Sequence, residues 1–363
     1  MTGTAGQKRL PSDYFAGTPF PLPPLAEQGR IVAKVEELMT LCDQLELAQK
    51  ERELQRDALR SVSLYRLTAT VETLSAKADI RFFLDTSPRL ITKPEHVEAI
   101  RQSILDLAVR GQLVSQNSED EPTSELLARA LALKNRLIEE GVSRRNGPPS
   151  PILSEHVPGI APPGWVWTRL QEVATMITKG TTPTSVGHAF TNQGVNFVKV
   201  ESIRNGQLLP GNILSFISAE TNEFLGRSRL ESGDILFSIA GSIGTCSLVG
   251  DDVLPANTNQ ALAIIRGTDV VYDPAFLLIC LRSSVAQLVV GKARGGAMNN
   301  ISLGDIRNFV VPVPPLPEQR RIVAMVDDLR VLCDEMESAL ASAQDERGRL
   351  LESLLHEVLG AAA

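Results

Sequence analysis

Five short stretches concentrate side chains able to hydrogen-bond a flat polar partner. They are Thr178-Lys-Gly-Thr-Thr-Pro-Thr-Ser, Lys199-Val-Glu-Ser-Ile-Arg-Asn-Gly, Ser238-Ile-Ala-Gly-Ser-Ile-Gly-Thr, Asn257-Thr-Asn-Gln and Lys292-Ala-Arg-Gly-Gly-Ala-Met-Asn-Asn. The amides Asn257, Asn259, Gln260, Asn299 and Asn300 can pair with adenine, Arg204 and Arg294 with guanine, and Lys179, Lys199 and Lys292 with phosphates. Gly180, Thr181, Thr182, Ser202 and Ser242 sit in the same turns, where hydroxyls and backbone N–H groups add donors. Asn- and Gly-rich turns also serve β-rich domains as hairpins and caps, so each residue has a purely structural reading beside the DNA-contacting one.

Signs of catalysis are sparse. The sequence holds no phosphate-cradling glycine loop, no dinucleotide fingerprint opening a helix and no Asn-Pro-Pro-Tyr-like segment suited to an adenine methyltransferase. His96, His156, His188 and His356 stand alone, and no His pair has metal-ligand spacing. The four cysteines are single, which fits small buried apolar residues in a reducing cytoplasm better than a disulfide or metal framework. No apolar run reaches membrane-spanning length and the start has no apolar signal region, so the expectation is a cytoplasmic, non-membrane protein.

A net charge of −7 speaks against a nucleic-acid binder, yet its distribution weakens that objection. Residues 160–312 carry 11 Lys plus Arg and 11 Asp plus Glu, so the acidic excess lies entirely in the remainder. A neutral domain can still present a basic face, while acidic helices suit a protein partner.

The five stretches fall between short β-prone runs: Trp165-Val-Trp-Thr-Arg-Leu, Val195-Asn-Phe-Val-Lys-Val, Asp234-Ile-Leu-Phe-Ser-Ile, Cys246-Ser-Leu-Val and Ala261-Leu-Ala-Ile-Ile-Arg. Pro274-Ala-Phe-Leu-Leu-Ile-Cys-Leu-Arg and Val285-Ala-Gln-Leu-Val-Val read as helical. This predicts an α+β domain over 164–311, preceded by a Pro/Gly-rich linker over 141–163. Upstream, one long helix is expected within 21–80, running from about Glu27 to about Ala76. Further helices are expected within 81–140, one starting near Pro94 and stopping at Gly111, the next opening at Pro122.

One stretch occurs twice, 291 positions apart. Pro23, Pro24, Leu25, Glu27, Gln28, Arg30, Ile31, Val32, Ala33, Val35, Leu38, Leu41, Cys42 and Asp43 each match an identical residue in the copy within 312–363. Each copy begins with a Pro-rich segment that cannot be helical, then continues as an amphipathic helix. Ile31, Val35, Leu38, Cys42 and Leu45 step by four and three, as do Ile322, Val326, Leu329, Cys333 and Met336, which is the spacing of a coiled-coil seam. The simplest expectation is that the two seams bury each other.

The repeated Pro-Leu-Pro-Pro-Leu-x-Glu-Gln-x-Arg-Ile-Val segment resembles the conserved regions of type I restriction-modification specificity subunits. Gly164-Trp-Val-Trp, Lys179-Gly-Thr-Thr-Pro, Gly233-Asp-Ile-Leu-Phe-Ser and Asn257-Thr-Asn-Gln-Ala resemble landmarks of that family's target-recognition domain. The resemblance implies a non-catalytic DNA-recognition subunit whose long helices form an antiparallel coiled coil. It implies double-stranded DNA, methyltransferase subunits and nuclease-translocase subunits as partners, with S-adenosylmethionine on the methyltransferase and no cofactor or metal on this chain. By the same resemblance, residues 1–20 correspond to the tail of a first recognition domain, and a homodimer would supply two such domains for a bipartite site. The rivals are a protein-interaction scaffold built on a coiled coil and a DNA-modifying enzyme.

Overall fold

The computed structural model of the chain describes residues 16–19, 21–69, 91–141, 147, 149, 151–153, 157, 161–286 and 300–360, and falls into two units, 1–62 and 63–363. In the first unit the extended Pro21–Pro24 segment leads into helix α1, Leu25–Ala69. The backbone N–H groups of Glu27 and Gln28 bond the Pro24 carbonyl at 2.8 and 3.0 Å, and Gln28 Nε2 donates to the Pro23 carbonyl at 2.8 Å, so first-turn groups close on the proline segment. The α1 seam is open to solvent: Ile31 is 49% exposed, Leu45 62%, and Val35, Leu38 and Cys42 are exposed as well.

The second unit takes in the last residues of α1 and, next among the described elements, helices α2, Pro94–Val109, and α3, Thr123–Glu139. Pro94 pre-sets the first turn of α2, and Gly111, at φ +68°, turns the chain away after it. The strand-rich part begins with β1, Val166–Arg169, a single helical turn α4, Leu170–Val173, and β2, Met176–Lys179. Next come β3, Phe190–Thr191, β4, Val195–Val198, the hairpin strands β5, Ile203–Arg204, and β6, Gln207–Leu208, then β7, Phe216–Ile217, and α5, Ala219–Phe224. The chain continues through β8, Ile235–Ser238, β9, Cys246–Leu248, β10, Ala256–Thr258, β11, Leu262–Arg266, α6, Pro274–Arg282, α7, Leu303–Arg307, and β12, Val310–Val313. It finishes with α8, Leu316–Gly360.

The central sheet has the order β2-β11-β8-β9 and is antiparallel throughout. Both of its faces are covered. Ile235, Phe237, Ala263 and Ile265 join a cluster with Phe276, Leu277 and Phe309, while the alternate residues Leu236, Leu262 and Ile264 pack with Val198, Ile203, Leu208 and Val253. Two-sided burial is why these strands read as unbroken apolar runs. A second sheet, β10-β4-β7-β3, has β10 parallel to β4 and the remaining pairs antiparallel. Among the described residues β12 pairs with β1 alone, which lets Pro312 sit in a strand without breaking a ladder; the domain's sheet structure therefore runs past residue 311 to Val313.

The seam of the second repeat copy packs against α2. Ile322, Val326 and Cys333 are buried in the same cluster as Val97, Ile100, Ile104 and Ala108 of α2, with Leu329 and Met336 packed at its edge. Arg101 Nη2 bonds Asp334 at 2.5 Å and Glu337 at 2.8 Å, whereas Asp120, downstream of α2, meets Arg321 at 2.7 Å, so the two segments run antiparallel. The α8 start is pinned by Gln319, wholly buried: its Nε2 donates to the Val271 and Pro314 carbonyls, and its side-chain oxygen accepts the Asp273 N–H at 2.8 Å. The bond to Pro314 reproduces that of Gln28 to Pro23 at the repeat offset.

Glu318, beside it, is 1% exposed, and burial pushes its carboxyl up against the opposing influence of Trp165 and Arg321. A carboxyl raised in the fold contributes stability that is complete below the ordinary carboxylate range and is lost as pH rises through its folded value. Glu318→Gln should therefore raise Tm at pH 8 by on the order of 2 °C, with the gain shrinking toward zero near pH 4. Melting curves of the two proteins across that range check it.

Candidate nucleic-acid interface

Strand direction gathers most of the polar stretches at one end of the domain. β2 ends at Lys179 opposite Ala263, near the start of β11, and β8 ends at Ser238 opposite Leu262, so the loops after β2, after β8 and before β11 leave the central sheet on one edge. β4 and β10 run parallel and end side by side at Val198 and Thr258, which brings Lys199–Ser202 and Asn259–Gln260 to the same edge. The loops are tied together there. Thr181 N–H bonds the Thr258 carbonyl at 3.1 Å, the Thr182 hydroxyl bonds the Gln260 side chain, and Asn300 bridges Ala240.

Gly180 makes this closure possible. A Cβ at that position would run into the carbonyl oxygens of Thr258 and Asn259, so only glycine lets the loop after β2 approach the turn between β10 and β11.

The individual residues divide by burial and bonding. Lys179, Arg204, Ser242, Gln260 and Asn300 are exposed, while Thr181, Thr182, Lys199 and Asn259 are half-buried. Arg204 stands on the β5–β6 hairpin, whose turn is Asn205-Gly206 with φ +50° and +71°. Two candidates are turned inward. Asn257 is 0% exposed, its amide donating to Asn222 and Leu225 and its oxygen accepting the Thr258 N–H, so no base can reach it. Ser202 is buried too, and its hydroxyl accepts the Lys199 N–H at 3.2 Å across a tight turn. Both belong to the scaffold holding the loops, which is the structural use such residues have in turns. Lys292, Arg294 and Asn299 lie outside the described residues.

Cations sort themselves in a similar way. Arg266 is held by the buried Asp234 and by Glu231, Arg282 donates to the Gly206 and Cys246 carbonyls, Arg169 to Asn308 and Pro151, and Arg307 to Ile177. Lys179 and Arg204 have no ion-pair partner among the described residues, and Lys199 places its ammonium over the Phe190 ring, 4.8 Å from the centroid. The domain's neutrality thus conceals a division between arginines spent inside and cations left at the loop end.

Some neighbours of the predicted residues escape a sequence reading. Phe190 carries no polar group, and its place under Lys199 depends on the β3–β7–β4 pairing. Glu201 and Thr245 line a cleft between the loops; both lie inside polar stretches singled out above, though neither was itself a candidate. Of the histidines, His96 accepts the Thr92 N–H, and His188 packs on Phe224 with ring centroids 4.6 Å apart. Among the described residues, no group of three or more His, Cys, Asp or Glu side chains is placed to hold a metal ion, and no helix is long and apolar enough to cross a membrane.

Residues 162–342, which take in the strand-rich part and the docked turns of α8, match the family described as the type I restriction modification DNA specificity domain. Over its whole length the chain is a homologue of the specificity subunits of type I restriction-modification systems. It is 31% identical over 379 residues to the type I restriction enzyme EcoEI specificity subunit of Escherichia coli, covering 99% of this chain and 61% of that protein. To the EcoAI specificity subunit of the same organism it is 31% identical over 366 residues, covering 98% and 60%. The chain thus spans about three fifths of the length of these relatives. The crystal structure of the HsdS subunit from Thermoanaerobacter tengcongensis aligns with a TM-score of 0.43 at 23% identity, over 98% of this chain and 64% of that one.

The tight approach at Gly180 generates a direct test. Gly180→Ala should lower unfolding free energy by roughly 1–3 kcal/mol, the usual range for overpacking. Gly211→Ala, where an added methyl meets nothing within 4 Å, should leave it almost unchanged. Urea unfolding of both variants measures the difference.

Proposed function

We propose that the chain is the DNA sequence-recognition subunit of a type I restriction-modification complex and carries out no chemistry itself. The observation that carries this reading is the assembled loop end, where cations with no ion-pair partner among the described residues stand beside amides and hydroxyls on a sheet buried on both faces. The family of residues 162–342 supports it. Lys179, Lys199 and Lys292 position the phosphate backbone; Asn259, Gln260, Asn299, Asn300, Arg204 and Arg294 are the candidates for base edges, with Gly180, Thr181, Thr182 and Ser242 completing the surface.

In this reading the helical parts bind methyltransferase subunits, which hold S-adenosylmethionine and bring in the nuclease-translocase subunits, all in the cytoplasm. The open α1 seam and the exposed Leu350, Leu351, Leu354 and Leu355 of α8 are apolar surfaces suited to such partners or to a second copy of the chain. Two copies about a twofold axis would read inverted half-sites, with the helices setting the distance between them.

Binding of the full chain to duplex DNA should weaken steeply with salt as counterions are released. Lys179→Ala, Lys199→Ala and Lys292→Ala should each weaken all sequences alike and reduce the slope of log K against log salt by about 1. Salt-independent binding, or no effect from the triple variant, would count against the surface. Sequencing the sites methylated by the chain with its methyltransferase tests the twofold pair: a palindromic bipartite motif is expected, and an asymmetric one rules it out.

A further inference from the structure

The cleft at the loop end has a volume of about 420 Å³ and is lined in part by Val200, Glu201, Ala240, Ser242, Thr245 and Asn259. Its polar groups are unusually well defined. Asn259 Oδ1 accepts the Ala261 N–H at 3.1 Å, which fixes the amide so that Nδ2 is left as a donor. Glu201 is exposed and, among the described residues, has neither a hydrogen-bond nor an ion-pair partner. The nearest lysine in sequence, Lys199, has its ammonium over Phe190 instead.

A lone carboxylate here is costly if the loop end meets DNA, because it opposes the phosphates that Lys179 and Lys199 attract and weakens binding to every sequence. It has one matching use in the major groove. An ionised carboxylate only accepts hydrogen bonds, and the only base groups there that donate are the exocyclic amino groups, N4 of cytosine and N6 of adenine. Guanine O6 and N7 and thymine O4 would face it as further acceptors.

Resting on the DNA-recognition reading, we propose that Glu201 is a specificity-determining residue that selects a base bearing an exocyclic amino group. Asn259 Nδ2 stands in the same cleft as a donor to the neighbouring acceptor. The carboxylate disfavours non-cognate DNA through repulsion and is offset on the cognate site by the amino group.

The test selects bound duplexes from a randomised library with the full chain, and compares wild type with Glu201→Ala and Glu201→Gln. Wild type should enrich a motif in which Glu201→Ala relaxes one adenine or cytosine position, lowering cognate affinity roughly tenfold. Both variants should bind unrelated DNA more tightly than wild type does, an effect no loss of fold would produce. Replacing the selected base by purine, for adenine, or 2-pyrimidinone, for cytosine, removes only the amino group. It should cost wild type roughly tenfold and Glu201→Ala nothing more, and the analogue that has this effect identifies the base. Should both variants enrich an unchanged motif with unchanged affinity for unrelated DNA, the assignment is overturned while DNA recognition stands. Should wild type enrich no motif at all, both fall together.

Discussion

Two-sided burial of the β2-β11-β8-β9 sheet is the constraint on which the rest of the domain depends. One face belongs to a helical cluster that reaches α2 and α8, the other to the small strands that carry the polar loops. A residue such as Leu236 cannot move without disturbing the loop side, nor Phe237 without disturbing the helices. Because close-packed interiors transmit displacement, loops rooted on this sheet are held in a fixed frame relative to α8. A binding surface that must match fixed spacings in its partner needs that kind of support.

Charge follows the same logic. Arg266, with the buried Asp234, and Arg282, on two carbonyls, take their positive charge out of the surface inventory and use it as internal bonding. What remains at the loop edge is a small set of cations whose effect a net charge near zero hides. Composition summed over the domain therefore says little about the field at any one face, which depends on which ions are paired.

Much of this was legible beforehand because it rests on local rules. The α+β class, the helix starts at Pro94 and Pro274, and the stop at Gly111 follow from proline and glycine geometry and from apolar runs. Two-residue strands such as β3 and β7 left no pattern, since their pairing is set by long-range packing. Among the polar candidates, residue type could not separate Asn257 from Asn259; the first is buried within β10, and the second, just past the strand's end, lines the cleft. The seam of α8 was visible as a seam, yet nothing local names its partner, and α2 fills it through Ile100 and Ile104.

The joint at Gln319 has a consequence for how such a protein can change. β11 enters the sheet at the loop edge, at Leu262, and leaves it at Arg266 on the way to the 271–273 turn that Gln319 grips, so the polar loops and the joint lie beyond opposite ends of one strand. The grip on the domain uses backbone atoms, the Val271 carbonyl and the Asp273 N–H, while the Pro314 carbonyl closes the fitting on itself; backbone groups are the same whatever side chains the loops carry. The domain is therefore attached by a fitting indifferent to its cargo. Changes of loop side chain leave those backbone groups in place, and the same Pro-x-x-x-x-Gln bond recurs at the head of α1.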